Sequence, residues 1–391
     1  MKKFDVATIS YTTRSRHLNY GATLHGWAFQ QILIRLGCRP VVIDYLARTL
    51  VRHHFKWPVL DALRGWKHPV AMVRHAVQWL VSTRANLRKY EKFQRFISER
   101  LVCTDAVYTE KSIAEVEAIP GCDGAVFVCE ADVIWNRIAT HGFERGFYLD
   151  FPAAAGHRKV AYAPTVSRKP FGVADEARFI GYMRTFDAIS ARERAGARYI
   201  NYLTGLDVEW LVDPSLLLSA DDYAAIAKPS GESGYILLYT CMKLNVNMVK
   251  EARALAKRTG RKLIEVGNYG INRYLFGHKT VDDAGIEEWL GLFMGADTVV
   301  CNSFHGICFS LIFRKPFFVF ARNENDWRFT GICEEFGLQG RLLGKNGSIP
   351  EDCPPIDFAE TDRKLSEFRE KAIGWIDRNI VRYAKETSAN A

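Results

Sequence analysis

Short apolar runs that break off at small polar residues and restart as helices recur along this chain, and one such break constrains it most. Val299-Val300-Cys301 reads as a strand that stops at Asn302-Ser303, after which Phe304-His305-Gly306 leads into an apolar helix to about residue 313. Ser303 is the expected N-cap, its hydroxyl accepting from the amides that open the helix. A helix that starts where a strand ends offers N–H groups and partial positive charge, so the point favours an anion. His305 adds a titratable donor there. With Asn302 and Gly306 beside it, the stretch has the layout of a phosphate or carboxylate site.

The same alternation extends in both directions. Residues 4–10 read as a buried strand, Asn19-Tyr20-Gly21-Ala22 as a turn, 24–36 as a helix closed by Gly37, and 40–45 as a second strand. Strand, helix, strand in that order implies a parallel sheet with helices on its faces. Further strands are expected at 124–128, 159–163, 188–191 and 207–212, with helices at 176–185 and 194–203. The stretch 220–234, with Pro229, Gly231 and Gly234, reads as a linker. Beyond it a second cycle has strands at 235–239, 262–266, 298–301 and 317–320, helices at 246–258 and 286–294, and a closing helix at 359–386. At 391 residues the chain exceeds what one core usually serves. The expected fold is α/β: two Rossmann-like doubly wound domains facing a cleft. One spans 1–220 and the other 234–350, with ligands at the carboxyl ends of their strands.

Between Arg48 and Arg100 twelve Lys/Arg stand against three Asp/Glu, an excess equal to the net +9 of the whole chain. Trp57, Trp66 and Trp79 interleave with those charges, in what reads as a basic helical insertion at about 48–100 of the first domain. Such a segment suits an anionic membrane surface, or is simply a solvated basic face. No nucleic-acid-binding module accompanies the charge, so nucleic acid is not an expected partner. No run reaches the ~18 apolar residues of a membrane span, and the N-terminus lacks the apolar core of a signal peptide. The nine cysteines include no Cys-x-x-Cys pair, which fits reduced thiols. The expectation is a cytoplasmic protein, at the inner face of the membrane if the insertion docks there.

Other candidate site residues lie just past expected strand ends. Asn19, Tyr20 and Gly21 do so in the first domain, where the alternative is an ordinary turn. Asp132, Trp135 and Asn136 suit a sugar, the polar groups binding hydroxyls and the indole stacking on the ring; the alternative is a packing Trp and a capping Asp. Arg192 is a bidentate anion clamp or an ion-pair partner of Glu193 or Asp187. Asp213 is a cleft carboxylate or a cap, and Arg322 and Arg328 are further anion clamps. Walker, Gly-x-Gly-x-x-Gly, Gly-x-Ser-x-Gly and His-Glu-x-x-His patterns are absent, and nothing calls for a metal or a resident cofactor.

Taken in order, these segments resemble the polysaccharide pyruvyl transferase family. The matching pieces begin with Asn19-Tyr20-Gly21-Ala22-Thr23-Leu24, Ala28-Phe29-Gln30, and Leu36-Gly37 leading to Val42-Ile43-Asp44-Tyr45. Asp132 with Trp135-Asn136, Tyr148-Leu149-Asp150-Phe151, Tyr162-Ala163 and Ile189-Ser190-Ala191-Arg192-Glu193 follow. Asp213-Pro214-Ser215-Leu216-Leu217-Leu218 and Asn302-Ser303-Phe304-His305-Gly306 with Lys315-Pro316-Phe317 complete the set. The similarity covers roughly residues 1 to 345. Departures are Ser303-Phe304 where better-known members carry Arg-Leu, and Glu130-Ala131-Asp132-Val133 where many carry Gly-Ser-Asp-Gln. Pro164-Thr165-Val166-Ser167 also stands where relatives often carry Ala-Ser-Phe-Gly.

The resemblance implies a fold like that of the two-domain GT-B glycosyltransferases. It implies transfer of the pyruvyl group of phosphoenolpyruvate onto two hydroxyls of a sugar, giving a ketal and free phosphate. By it, Arg192 and His305 hold the donor, joined by Asn302, Ser303, Gly306 and Arg328. His305 is the acid by residue type. Asp132 orients or deprotonates the acceptor hydroxyl, and Asn19, Tyr20, Gly21, Trp135 and Asn136 bind the acceptor, a sugar or a lipid-linked oligosaccharide. Two rival readings are a GT-B-type glycosyltransferase using a nucleotide sugar and a non-catalytic module of polysaccharide assembly.

Overall fold

The computed structural model describes residues 2–11, 18–48, 69–166, 172–241, 245–267, 272–321 and 327–389, with backbone alone at 69–81, 273 and 388–389. The chain divides into two compact units. Unit 1 comprises Met1–His53, Ile97–Leu218 and Lys364–Ala391, and unit 2 comprises His54–Phe96 and Ser219–Arg363.

Unit 1 is built on the strands β1 (Val6–Ile9), β2 (Pro40–Leu46), β3 (Cys103–Thr109), β4 (Val126–Glu130), β5 (Lys159–Tyr162), β6 (Ala188–Ala191) and β7 (Val208–Trp210). They form one parallel sheet in the order β3-β2-β1-β4-β5-β6-β7. Val6 pairs with both Pro40 and Val126, so the chain winds outward in both directions from β1 and β4. The burial of all four residues of β1 and all five of β4 explains their unbroken apolar reading, as a strand covered on both faces requires.

Unit 2 carries β8 (Tyr235–Thr240), β9 (Leu263–Gly267), β10 (Lys279–Val281), β11 (Ala296–Cys301), β12 (Phe317–Phe320) and β13 (Leu342–Leu343). This second parallel sheet runs β10-β9-β8-β11-β12-β13, with its reversal between β8 and β11. Helix Val246–Thr259 covers it with Met248, Val249, Ala252, Leu255 and Ala256, the spacing of one helical face. Both units are thus doubly wound α/β sheets, as expected from the sequence.

Four helices bear on function: α1 (Tyr20–Arg35), α2 (Pro69–Arg100), α3 (Phe304–Ile312) and α4 (Phe358–Ile376). Helix α1 begins at Tyr20, so Asn19 is its cap rather than part of a free turn. The expected linker at 220–234 contains a short helix, Ala220–Ala224, opened by a Ser219–Asp222 capping box.

The units also divide the chain differently from the expected domains. The insertion up to Phe96 clusters with unit 2, because Arg88, Lys92 and Arg95 pair with Asp283, Glu288 and Glu287. Those three cations are matched by acids, which removes them from the basic face expected to meet a membrane; Trp57 and Trp66 lie outside the described residues. From Lys364 onward the chain clusters with unit 1, where Arg369 donates to the carbonyls of Leu216 and Leu218 at 2.6 Å each. Phe368 meets Trp210 edge-on at 4.8 Å. Among the described residues no helix is long and apolar enough to cross a membrane.

Candidate active site

Ligands of doubly wound sheets bind where the strand order reverses, at the carboxyl ends of the strands. In unit 1 that point lies between β1 and β4. Glu130 ends β4, and the next two residues turn sharply: Ala131 has φ 48° and Asp132 φ 51°, with Ala163 after β5 at φ 52°. Left-handed backbone at a residue other than glycine persists only when the surroundings enforce it. Here the Ala131 N–H donates to the Tyr162 carbonyl and the Thr165 N–H to the Asp132 carbonyl, both at 2.8 Å.

A buried ionic network fills this switch point. Glu130 Oε2 lies 3.0 Å from His25 Nδ1, and the far nitrogen of that ring is 4.0 Å from Asp132. The other Asp132 oxygen is 3.7 Å from Arg192, which donates to Glu193 at 3.2 Å and to Asp213 at 2.8 Å. Burial alone would lower the pKa of His25, but Glu130, Asp213 and Asp132 raise it above the ordinary histidine value. Glu130 is pushed up mainly by its own burial, with His25 opposing. For Arg192 the neighbouring Glu193, Asp213 and Asp132 outweigh burial and hold the guanidinium charged. Four carboxylates therefore surround one guanidinium and one imidazole.

This arrangement corrects several expectations. Arg192 is 4% exposed and engaged with its own unit's carboxylates, so it is an ion-pair partner and not an anion clamp. Asp187 instead accepts from the backbone N–H of Lys159 at 2.8 Å. Trp135 is 0% exposed, donates its indole N–H to the Phe147 carbonyl at 2.9 Å and stacks on Tyr148. It is a core residue with no face for a sugar. Asn136 caps the short helix Arg137–Thr140, accepting from Ile138 and Ala139. Asn19 caps α1 by accepting from Ala22 at 3.3 Å, while Tyr20 and Gly21 are buried in its first turn. Asp213 both caps, accepting from Ser215, and faces Arg192. Of the expected acceptor-side residues, only Asp132 belongs to the ionic network.

In unit 2 the switch point lies between β8 and β11. Asn302, just past β11, spans it by accepting the Cys241 amide after β8 at 2.8 Å. Ser303 occupies the N-cap position of α3 with extended backbone, but its hydroxyl makes no capping bond, contrary to expectation. The first-turn amides are therefore not consumed by that hydroxyl. His305 is the second residue of α3 and 6% exposed. Gly306 has a packing role: a Cβ there would lie 2.6 Å from Cys301 Sγ and 2.9 Å from its Cβ. Only glycine lets α3 begin so close to the strand it follows. Arg328 is half-buried on the next helix with its guanidinium over Phe329, and Arg322 lies outside the described residues.

The family model for polysaccharide pyruvyl transferases matches residues 19–324, which takes in the polar residues described at both switch points. The chain belongs to the polysaccharide pyruvyl transferase family. Membership makes it an enzyme of the transferase class. No curated protein matches it. Solved structures similar to this chain include UDP-GlcNAc 2-epimerase from Methanocaldococcus jannaschii, 11% identical over 94% of this chain and 93% of that one, TM-score 0.45. The UDP-GlcNAc 2-epimerase from Neisseria meningitidis is 11% identical over 100% of both chains, TM-score 0.42. UGT89C1 from Arabidopsis thaliana is 12% identical over 100% and 99%, TM-score 0.38. At such TM-scores the likeness bears on neither activity nor substrate, and the fold rests on strand order alone.

Several buried polar residues of this family member carry little signal in the sequence. His25 sits within an apolar helical pattern, and only the charge of Glu130 at the end of an apolar run marks its partner. Glu265 is 2% exposed inside β9 and accepts from Thr240 at 2.8 Å, Asn272 at 2.9 Å and His278 at 2.7 Å. An acid in a central strand was the available sign. Among the described residues, no group of three or more His, Cys, Asp or Glu is arranged to hold a metal ion.

Proposed function

We propose that this enzyme moves the pyruvyl group of phosphoenolpyruvate onto two hydroxyls of one sugar in a cell-surface polysaccharide or its lipid-linked precursor. The products are a cyclic ketal and free phosphate. The observation that carries the reading is the group Asn302, Ser303 and His305 at the β8–β11 switch point of a member of this family. A helix N-terminus and an imidazole suit a small phosphorylated acid. The carboxylate-rich switch point of unit 1 disfavours such an anion and suits neutral hydroxyls, for which carboxylates are acceptors.

In this mechanism His305 delivers a proton to the methylene carbon of the donor, and the central carbon becomes cationic. A sugar hydroxyl attacks that carbon and gives its proton to the His305 imidazole. Phosphate then departs, and a second hydroxyl closes the ketal. One hydroxyl proton replaces the proton given by His305 and the other leaves with phosphate, so the acid is regenerated. With a lipid-linked acceptor the reaction takes place in the cytoplasm at the inner face of the membrane.

The test is phosphate release from phosphoenolpyruvate in the presence of an acceptor mixture. His305→Ala is expected to lower the rate by ~100- to 10,000-fold, the usual worth of a positioned acid. Undiminished release in that variant would remove His305 from the chemistry. Turnover of a nucleotide sugar with none of phosphoenolpyruvate would replace the reading by a glycosyltransferase.

A further inference from the structure

We infer that Tyr45, Glu110 and Glu144 form a proton-held latch in unit 1: one shared proton closes the turn after Glu144 onto the ends of β2 and β3, and its loss loosens that turn. The latch is a property of the fold and stands whatever group the enzyme transfers.

Counting protons sets the chemistry. The Tyr45 hydroxyl oxygen lies 2.7 Å from Glu110 Oε2 and 2.7 Å from Glu144 Oε2. Oxygens that close are joined by a proton, and the phenol carries one for two contacts. The second proton must therefore sit on a carboxyl group. Glu110 Oε2 also accepts the Arg145 N–H at 3.0 Å, so it receives the phenol proton as a carboxylate. Glu144 Oε1 accepts from the Arg48 N–H at 3.2 Å and from its Nε at 3.1 Å, which leaves Oε2 to carry the proton. The chain of donors runs from Glu144 through Tyr45 to Glu110. Burial agrees with this order, since the Glu144 side chain is 1% exposed against 20% for Glu110. That burial, followed by Glu110, pushes the Glu144 pKa up to about 7.

Three stretches of chain meet at this proton. Tyr45 is next to last in β2, and Glu110 opens the short helix Glu110–Ile113 that Thr109 and Ser112 cap directly after β3. Glu144 precedes the turn Arg145–Tyr148. Gly146 lets that turn lie on the phenol, because a Cβ there would be 2.7 Å from Tyr45 Cζ. Phe147 meets the Tyr45 ring edge-on at 5.3 Å, and its carbonyl holds the indole of Trp135, just past the unit 1 switch point. Among the described residues the cation facing Glu144 is Arg48, which also donates to the Phe143 carbonyl at 2.9 Å and lies 3.9 Å from Glu110. The Arg145 guanidinium turns to Asp150 at 3.6 Å instead. With the shared proton gone, two carboxylates flank a single phenol proton and repel. Glu110, the more exposed of the two, turns to water, and the Arg145 N–H loses its acceptor.

Amide hydrogen exchange at Arg145 and infrared spectra, both followed across pH in the full-length protein, test the latch in wild type, Glu144→Gln and Glu110→Gln. The open turn gives up its proton at the ordinary carboxylate value of 4.5 and the closed one at about 7. Protection of the Arg145 amide is therefore expected to fall by up to ~10-fold per pH unit between those values and to level off above them. Glu144→Gln keeps a donor toward Tyr45 and an acceptor toward Arg48, so its protection should stay high and flat. Below about 7 the wild type should also show the C=O stretch of a protonated carboxyl that Glu144→Gln lacks. Wild-type protection that does not change with pH, or a carboxyl C=O spectrum identical in wild type and Glu144→Gln, overturns the inference. Should Glu144→Gln not fold, Glu110→Gln decides. Removing that neighbouring charge should move the wild-type titration to lower pH, and an unmoved titration overturns the latch.

Discussion

A guanidinium enclosed by three carboxylates has no charge left for a ligand, and Arg192 illustrates how such residues mislead when read from sequence. Its side chain is 1% exposed, against 0–9% for the carboxylates of Asp132, Glu193 and Asp213. Arg192→Met is therefore expected to leave those acids without their cation and to destabilise the fold by ~3–5 kcal/mol. Chemical denaturation measures that loss, and phosphoenolpyruvate affinity of the remaining folded protein should be unchanged. A variant of full stability that had lost donor binding would show that Arg192 touches the donor after all. Residue type alone could not separate these outcomes, because an arginine past a strand end fits both. The difference lies in Asp213, which the sequence separates from Arg192 by a helix and a strand. Gly306 was legible as special, but its reason, the approach to Cys301, is a packing distance that no sequence pattern encodes.

Elements show the same division between what local pattern reveals and what tertiary contact decides. The central strands β1, β4, β8 and β11 stand out as apolar runs because both faces are covered. The strands left out of the sequence reading are β3, β10 and β13, all outside the buried centre of their sheets. β3 exposes three of its seven residues, and β10 and β13 have three and two residues, too few to show a period. At the end of β2 a further cluster ties three segments together: the Tyr45 hydroxyl lies 2.7 Å from a carboxyl oxygen of both Glu110 and Glu144, and Arg48 donates to Glu144 at 3.1 Å. Burial, followed by the neighbouring Glu110, pushes the Glu144 pKa up from the ordinary 4.5 to about 7. Between those values the unfolded chain has lost the proton that the folded one still holds. Stability contributed by this site is thus full below the ordinary carboxylate range and falls as pH rises through about 7. Denaturation midpoints measured across that window should decline, and Glu144→Gln should flatten the decline. An equal slope in the variant would place the titration elsewhere.

For the molecule as a whole, the number of sheets and their parallel sense were readable from the alternation of strands and helices. The allocation of segments to units was not. The insertion follows unit 1 strands in sequence yet clusters with unit 2, because its cations find the acids at 283–288. The last helices follow unit 2 in sequence yet pack on Trp210 and the carbonyls after β7. Chain order gives no access to such returns. The two switch points are electrostatically unlike: carboxylates outnumber cations in unit 1, whereas α3 brings an imidazole and a helix terminus to unit 2. That asymmetry is the physical basis for assigning hydroxyls to one and a phosphorylated acid to the other. The decisive measurement is transfer of an isotope label from the central carbon of phosphoenolpyruvate to a saccharide, followed by NMR alongside orthophosphate. A labelled ketal carbon on the sugar, formed in step with phosphate, is expected. Phosphate released with no label on any saccharide, or no consumption of phosphoenolpyruvate while a nucleotide sugar turns over, would contradict it.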